Sequence, residues 1–330
     1  MVLIGEGWFI FSFRFMLPRN SIVPPSPAAD VDAFKWADQK KAWSTYMDAM
    51  GPEAAYNALK KQYEKQMFMV QHSAVHLLGA LLYEKFGLKG IRFCDNSFAF
   101  GCYHSFFASA SSHEGAGMLA ALDKECNNLK DRVDTFTCQH GIGHSLLAHG
   151  QMSHKELLDA LTVCDTLSHV EPISGCKSGV FMEYNFQSMA SIERPGTTAL
   201  RSFNAQDPYA PCSKLPAAFT QGCYFAETQW WDNVLGHDYV RMGKLCADIT
   251  DEKLQSTCFS GVGNVAAEHA NYDIAAVEGL CNKMPAQKGV ADCLISASWT
   301  FSNDSRLRAQ APDVCRNASI DIQKRCAPKQ

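Results

Sequence analysis

The chain has 330 residues, of which 47% are apolar, and a formal net charge of −4. This length allows one large domain or two ordinary ones with a sizeable buried core. Because the two signs of charge are mixed and no long basic block occurs, the composition argues against a nucleic-acid partner.

The N-terminus is apolar without forming a clean targeting signal. Residues 2–17 are mostly apolar, but Glu6 and Arg14 interrupt them. A signal peptide has a basic start and an unbroken apolar stretch, and a membrane-spanning helix needs about 20 apolar residues. The apolar stretch alone matches a targeting segment, so two interpretations of residues 1–30 stay open: a signal peptide or membrane anchor followed by a Pro-rich linker, or an amphipathic arm before that linker. Residues 31–330 are predicted to form a single disulfide-stapled α-helical repeat domain without a transmembrane core.

The next elements are helical. Residues 32–50 predict an N-terminal helix, and residues 52–65 predict an amphipathic one. The following segment, VQHSAVHLL at 70–78, matches CQHGIGHSL at 138–146. A first repeat without cysteines is therefore expected before the cysteine-containing ones.

All 14 cysteines then fall into sequential pairs whose members are 8 to 12 residues apart. The pairs are Cys94 and Cys102, Cys126 and Cys138, Cys164 and Cys176, Cys212 and Cys223, Cys246 and Cys258, Cys281 and Cys293, and Cys315 and Cys326. The second cysteines recur at roughly constant distance, which is typical of a helical array.

The residues around each pair define the repeating unit. KELLDALTVC, which ends at Cys164, has apolar residues at helical spacing. Gly141, Gly179 and Gly261 each lie three residues after a second cysteine. Glycine destabilises a helix interior by about 1 kcal/mol relative to alanine, so its recurrence predicts close backbone packing. The unit is a helix, a cysteine, a loop of about ten residues, a cysteine and a second helix. The predicted fold is all-α, with about seven such units forming a curved solenoid or a closed α/α toroid.

The cysteine pattern also bears on localisation. Zinc modules usually contain C-x-x-C pairs, and this sequence contains none. The even count and wide spacing favour disulfides, and disulfides persist outside the cytosol. A secreted, periplasmic or surface-anchored protein is therefore expected. The constant spacing favours sequential pairing, but pairing between repeats stays open because sequence does not fix connectivity.

Histidines are concentrated at two positions of the first three units. Two and six residues after the second cysteine, or after Val70 in its place, stand His72, His76, His104, His140 and His144. His72 with His76, and His140 with His144, are four residues apart in the sequence. This i,i+4 spacing places both imidazoles of a pair on one helix face, where they can chelate an ion. Imidazoles without thiolates favour zinc or copper. Glu183 is a candidate further ligand or general base. The alternative is that these histidines are satisfied core residues.

Two hypotheses follow for the function. The first is an exported metal-binding helical repeat protein with a histidine-rich site, whose substrate, if it is a metalloenzyme, is unknown. The second is a non-catalytic helical scaffold that binds a protein, peptide or glycan partner. An insertion at residues 193–211 could form a lid, and the aromatic cluster at residues 224–231 could line a groove or belong to the core.

Overall fold

The computed structural model describes residue 27 and residues 36–98, 100–114, 118–129, 132–147, 152–193, 201–304 and 306–327. The predicted apolar N-terminal segment therefore lies outside the described residues. Within them every regular element is helical and no strand occurs, which confirms the all-α prediction. In the same part of the chain, no helix has the length and apolar character needed to cross a membrane.

The described residues form fourteen α-helices. In chain order they are α1 (Trp36–Met50), α2 (Pro52–Tyr63), α3 (Phe68–Phe86), α4 (Gly101–Glu114), α5 (Leu119–Asn127), α6 (Arg132–Leu147), α7 (His154–Cys164), α8 (Gly175–Glu193), α9 (Ala217–Val234), α10 (Tyr239–Ala247), α11 (Glu252–His269), α12 (Ile274–Cys281), α13 (Gln287–Asn303) and α14 (Ile320–Gln323). Three 3-10 segments accompany them, at Gly87–Phe93, Cys212–Lys214 and Arg308–Cys315.

Seven of the longer helices form a consecutive row. Each packs against the next in the order α3, α4, α6, α8, α9, α11 and α13. The shorter helices α5, α7, α10 and α12 pack against the flanks of this row. A row of this kind buries the apolar face of each helix only against its neighbours, so the units stabilise one another in sequence.

The two ends of the row are in contact. Arg306, which follows α13, donates from Nη1 to Oε1 of Gln71 in α3, at 3.0 Å. The same guanidinium lies 3.9 Å from the centroid of the Phe98 ring. The segment after the last long helix therefore meets the start of the first helix of the row.

The seven disulfides are the sequential pairs, and no cysteine is free. Each bridge closes a loop of 8 to 12 residues and so stays within one unit. In the chain-entropy model a loop of this size contributes about 3 kcal/mol to the free energy of unfolding. The bridges therefore stabilise individual units and leave the contacts between units to helix packing.

The uniform unit predicted from the sequence is wrong in two details. Cys94, Cys212 and Cys315 lie in or directly after 3-10 segments and not at the end of an α-helix. The loops are also shorter than ten residues where the second helix begins early. In α11, for example, the Asp251 side chain accepts a hydrogen bond from the Leu254 amide at 2.9 Å, which starts the helix well before its cysteine.

The predicted close packing at the recurring glycines is confirmed. A Cβ atom added at Gly179 would lie 1.9 Å from the His140 carbonyl oxygen, and one at Gly261 would lie 2.2 Å from the Phe225 carbonyl oxygen. A Cβ at Gly141 would lie 2.0 Å from the Phe107 ring. The row therefore depends on the missing side chain at each of these positions.

The insertion and the aromatic cluster pack together. Arg201, in the described part of the insertion, pairs with the buried Glu227 at 3.0 Å, and its guanidinium lies 3.6 Å from the Trp230 ring centroid. Trp230 and Trp231 are almost fully buried. These two tryptophans therefore belong to the core, and residues 201–211 are held against it.

Replacing Gly179 by alanine should lower the free energy of unfolding by about 1–3 kcal/mol, because the new methyl group would overlap a carbonyl of α6. Gly279 in α12 is the matched control, since no atom lies within 4 Å of an added Cβ there. Gly279→Ala should raise the stability by about 0.5–1 kcal/mol through its helix propensity. Urea titrations of the two variants measure both effects. Equal effects would contradict the close-packing account.

Candidate metal centre

Three neighbouring helices of the row bring the five predicted histidines together. His72 and His76 lie on the first turns of α3, and His140 and His144 lie on α6. His104 lies on α4, which packs against both of these helices. Because residues four apart lie on the same helix face, each pair points toward the histidine between them.

The imidazole rings are in direct contact. The Nε2 atoms of His72 and His76 are 3.0 Å apart, and those of His140 and His144 are 3.1 Å apart. The His104 ring centroid lies 5.1 Å from that of His72 and 4.3 Å from that of His144. Two groups of three result, His72 with His76 and His104, and His104 with His140 and His144. Within each group one nitrogen per residue lies within 4.8 Å of the others.

Hydrogen bonds from the opposite ring nitrogen orient one histidine of each pair. The Nδ1 atom of His72 donates to the Phe98 carbonyl oxygen at 2.8 Å. The Nδ1 atom of His144 donates to Oε2 of Glu183 on α8, also at 2.8 Å. Since both partners are acceptors, Nδ1 carries the proton of each ring, and the Nε2 atom that faces the neighbouring histidine carries the lone pair. This is the arrangement in which a carbonyl or carboxylate fixes a metal-binding imidazole.

His104 is the shared member of the two groups and has an unsatisfied nitrogen. The residue is buried, and its Nε2 atom has no hydrogen-bond partner among the described residues. Leaving a buried polar atom unpaired costs about 1–3 kcal/mol. A cation bound between the rings would satisfy this atom.

Burial also affects the protonation of four of the five histidines. Removal from water lowers the pKa of His72 from 6.5 to about 4. The same cause lowers the pKa values of His76, His104 and His140 well below 6.5. At neutral pH these imidazoles are therefore uncharged, which is the form that binds a metal ion.

The cluster borders a cavity of about 300 Å³. Its wall includes residues of all seven helices of the row, among them His72, His104, His140, Ser178, Met182, Phe225, Gln229, Asn264, Glu268 and Asn303. Most of the lining is apolar. A small molecule could therefore occupy the space beside the histidines.

The wall opposite the histidines carries an acidic residue that the sequence did not single out. Burial raises the pKa of Glu268 to about 7, and the Asn264 amide donates to its Oε1 atom at 3.3 Å. Asn264 occupies the repeat position of His76 and His144, six residues after the second cysteine. Glu268 lies one turn after Asn264 on the same helix. The repeat position of Asn264 is therefore the sequence signal that could have identified Glu268.

The structure places every predicted site residue in or beside the cluster. The five histidines converge. Glu183 accepts the hydrogen bond from Nδ1 of His144, whereas Nε2 of that ring faces His140, and Glu183 does not line the cavity. Its position is therefore that of a group that orients His144. Glu227 also lies close to Cys212 and Cys223. Both sulfurs are committed to a disulfide, which leaves no thiolate there for a metal.

A zinc ion held by these histidines should remain bound at unusually low pH. Because the pKa of His72 is about 4 and those of His76, His104 and His140 are also lowered, protons compete for these four imidazoles only well below 6.5. We expect half-release at or below about pH 5. Dialysis at stepped pH with metal analysis measures this, and circular dichroism at each pH checks that the helices persist. Release between pH 6 and 7 would contradict it.

In comparisons with known proteins, no family model, no curated protein and no solved structure matches this chain.

Proposed function

We propose that this chain is an exported metal-binding protein in which five histidines hold zinc or copper at the central cavity of a closed α/α toroid. The observation that carries the proposal is the buried His104 Nε2 atom, which lacks a partner although four other imidazoles surround it. A core histidine retained only for packing would be expected to have its polar atoms satisfied.

Two observations support a closed ring. One cavity is lined by residues from each of the seven helices in the row, as the centre of a ring would be. The contact between Arg306 and Gln71 joins the two ends of the row. A flat array would separate α3 from α6 by two helix diameters, whereas ring curvature turns their histidines toward α4.

The ligand set favours zinc or copper. Neutral imidazole suits both ions, and the described cluster offers no thiolate and only one nearby carboxylate. Two imidazole nitrogens on one tetrahedral zinc ion lie about 3.3 Å apart, given Zn–N bonds of about 2.0–2.1 Å. The Nε2 separations of 3.0 and 3.1 Å within the two pairs are close to this value. Only small movements of the rings would admit an ion.

The seven disulfides support the exported location, since such bridges persist in oxidising compartments. An ion at the cluster would also border the cavity through His72, His104 and His140. A bound metal supplies Lewis acidity or an activated water to a small molecule at such a position. The protein would contribute the apolar walls that exclude bulk water and the hydrogen-bonding groups of Asn264 and Gln229.

His104→Gln tests the proposal because His104 belongs to both groups of three. The wild-type protein should bind a zinc or copper ion whose affinity falls by at least about 100-fold in this variant, with the helical spectrum unchanged. His154→Gln, at an exposed histidine on α7, is the control and should have no effect. Isothermal titration of the metal-free protein measures the affinities. Wild-type affinity in His104→Gln would contradict the proposal and leave the scaffold hypothesis ahead.

Glu183→Gln tests the orienting contact separately. The neutral amide accepts a weaker hydrogen bond from His144 Nδ1, so the metal affinity should fall by about 10- to 100-fold. Glu53→Gln, at an exposed position on α2, should leave the affinity unchanged. If both variants bind metal like the wild type, Glu183 does not position a ligand.

A further inference from the structure

A second group of potential metal ligands lies at the ends of two other helices. Asp232 is near the C-terminus of α9, His237 follows in the loop before α10, and His269 is the last residue of α11. One ligand atom of each lies within 4.8 Å of the others. The two histidines matched no repeat position in the sequence, so only the fold brings them together.

The contacts are those of a compact three-residue site. The Oδ2 atom of Asp232 is 3.1 Å from Nδ1 of His237 and 3.6 Å from Nδ1 of His269. The two imidazole ring centroids are 4.3 Å apart. Two histidines and one carboxylate on adjacent segments form a set that binds divalent transition metals.

The Asp232 carboxylate lies mostly inside the protein. Its second oxygen, Oδ1, is buried and has no well-aligned hydrogen bond among the described residues, and the Tyr239 hydroxyl is the polar group that interacts with this carboxylate. The Asp232 side chain is 13% exposed, whereas those of His237 and His269 are 52% and 35% exposed. The site therefore has a largely buried carboxylate at its base and two imidazoles open to solvent, so an ion can enter from the surface.

The backbone is arranged to bring His237 back over the helix end. Gly236 and His237 have φ values of +64° and +62°, and the His237 amide donates to the Asp232 carbonyl oxygen at 2.8 Å. A left-handed conformation costs a non-glycine residue about 1 kcal/mol or more. The residue in this unfavourable conformation is His237, whose side chain completes the group with Asp232 and His269.

The local field also favours a cation. Both α9 and α11 end at this point, and the C-terminal end of a helix carries a partial negative charge. Asp232 adds a formal negative charge to these two helix ends. Bare protein would leave two adjacent imidazoles competing for one carboxylate oxygen, whereas a divalent ion would satisfy all three side chains.

We propose that Asp232, His237 and His269 form a second divalent-metal site, separate from the histidine cluster, that clamps α9 to α11. Every disulfide closes within one unit, so none links these two neighbouring helices of the row. An ion held by residues of both helices would provide a cross-link between units. The two exposed imidazoles leave coordination positions for water.

The test uses zinc as the probe in the His104→Gln background, in which the first centre is weakened, at a zinc concentration below the range that this weakened centre binds. Equilibrium dialysis should find about one zinc ion per chain, and zinc should raise the melting temperature. His237→Asn tolerates the left-handed backbone, and His269→Gln keeps a polar side chain of similar length. Each should weaken zinc binding by at least tenfold and remove the thermal stabilisation. His113→Gln, at an isolated exposed histidine, is the control.

Zinc binding of unchanged affinity in both His237→Asn and His269→Gln would overturn the proposal, as would the absence of any zinc binding in the His104→Gln background. Cobalt substitution adds a readout, because loss of a nitrogen ligand shifts the visible absorption of the bound ion. If the central cluster fails to bind metal in the wild type while these variants lose an ion, the second site stands and the first proposal falls.

Discussion

The close approach of neighbouring helices in the row is the constraint on which the site depends. Between α6 and α8 it is reciprocal, since a Cβ at Gly143 would lie 2.0 Å from the Cys176 carbonyl oxygen and one at Gly179 would lie 1.9 Å from the His140 carbonyl oxygen. Backbone contact at this distance is what allows the Glu183 carboxylate on α8 to reach His144 on α6. Larger residues at these glycines would push the helices apart and separate the ligand from its orienting group.

Much of the fold followed from sequence periodicity. Helical spacing before the first cysteines and glycines after the second ones predicted the helices and their close packing, because both signals are local. The alignment on the second cysteine, which located the histidines, also coincides with the cavity wall. The positions two and six residues later supply much of its lining, including Ser178, Met182, Phe225, Gln229 and Asn264. In these helices, residues at one or both of these positions after the cysteine therefore face the cavity.

The features that sequence did not predict depend on contacts between distant segments. The contact of Arg306 with Gln71 joins residues at opposite ends of the described domain. Nothing in the local pattern of either residue indicates the partner. Asp232 and His269 likewise meet only because α9 packs on α11. The early helix starts were missed for a different reason, since an N-cap such as Asp251 ends a loop regardless of where the cysteine lies.

Arg306 also connects the contact between the two ends of the row to the histidine cluster. Its guanidinium covers the Phe98 ring, and the Phe98 carbonyl oxygen is the acceptor that fixes the His72 imidazole. Phe98 itself has a φ of +54°, so its conformation depends on the groups packed around it. The His72 imidazole is thus aligned by a contact that involves a residue near the end of the described chain. Before Arg306 contacts Gln71 and Phe98, a folding chain would already contain the five histidines. It would lack the contact that holds the Phe98 carbonyl oxygen, the acceptor for His72, in place.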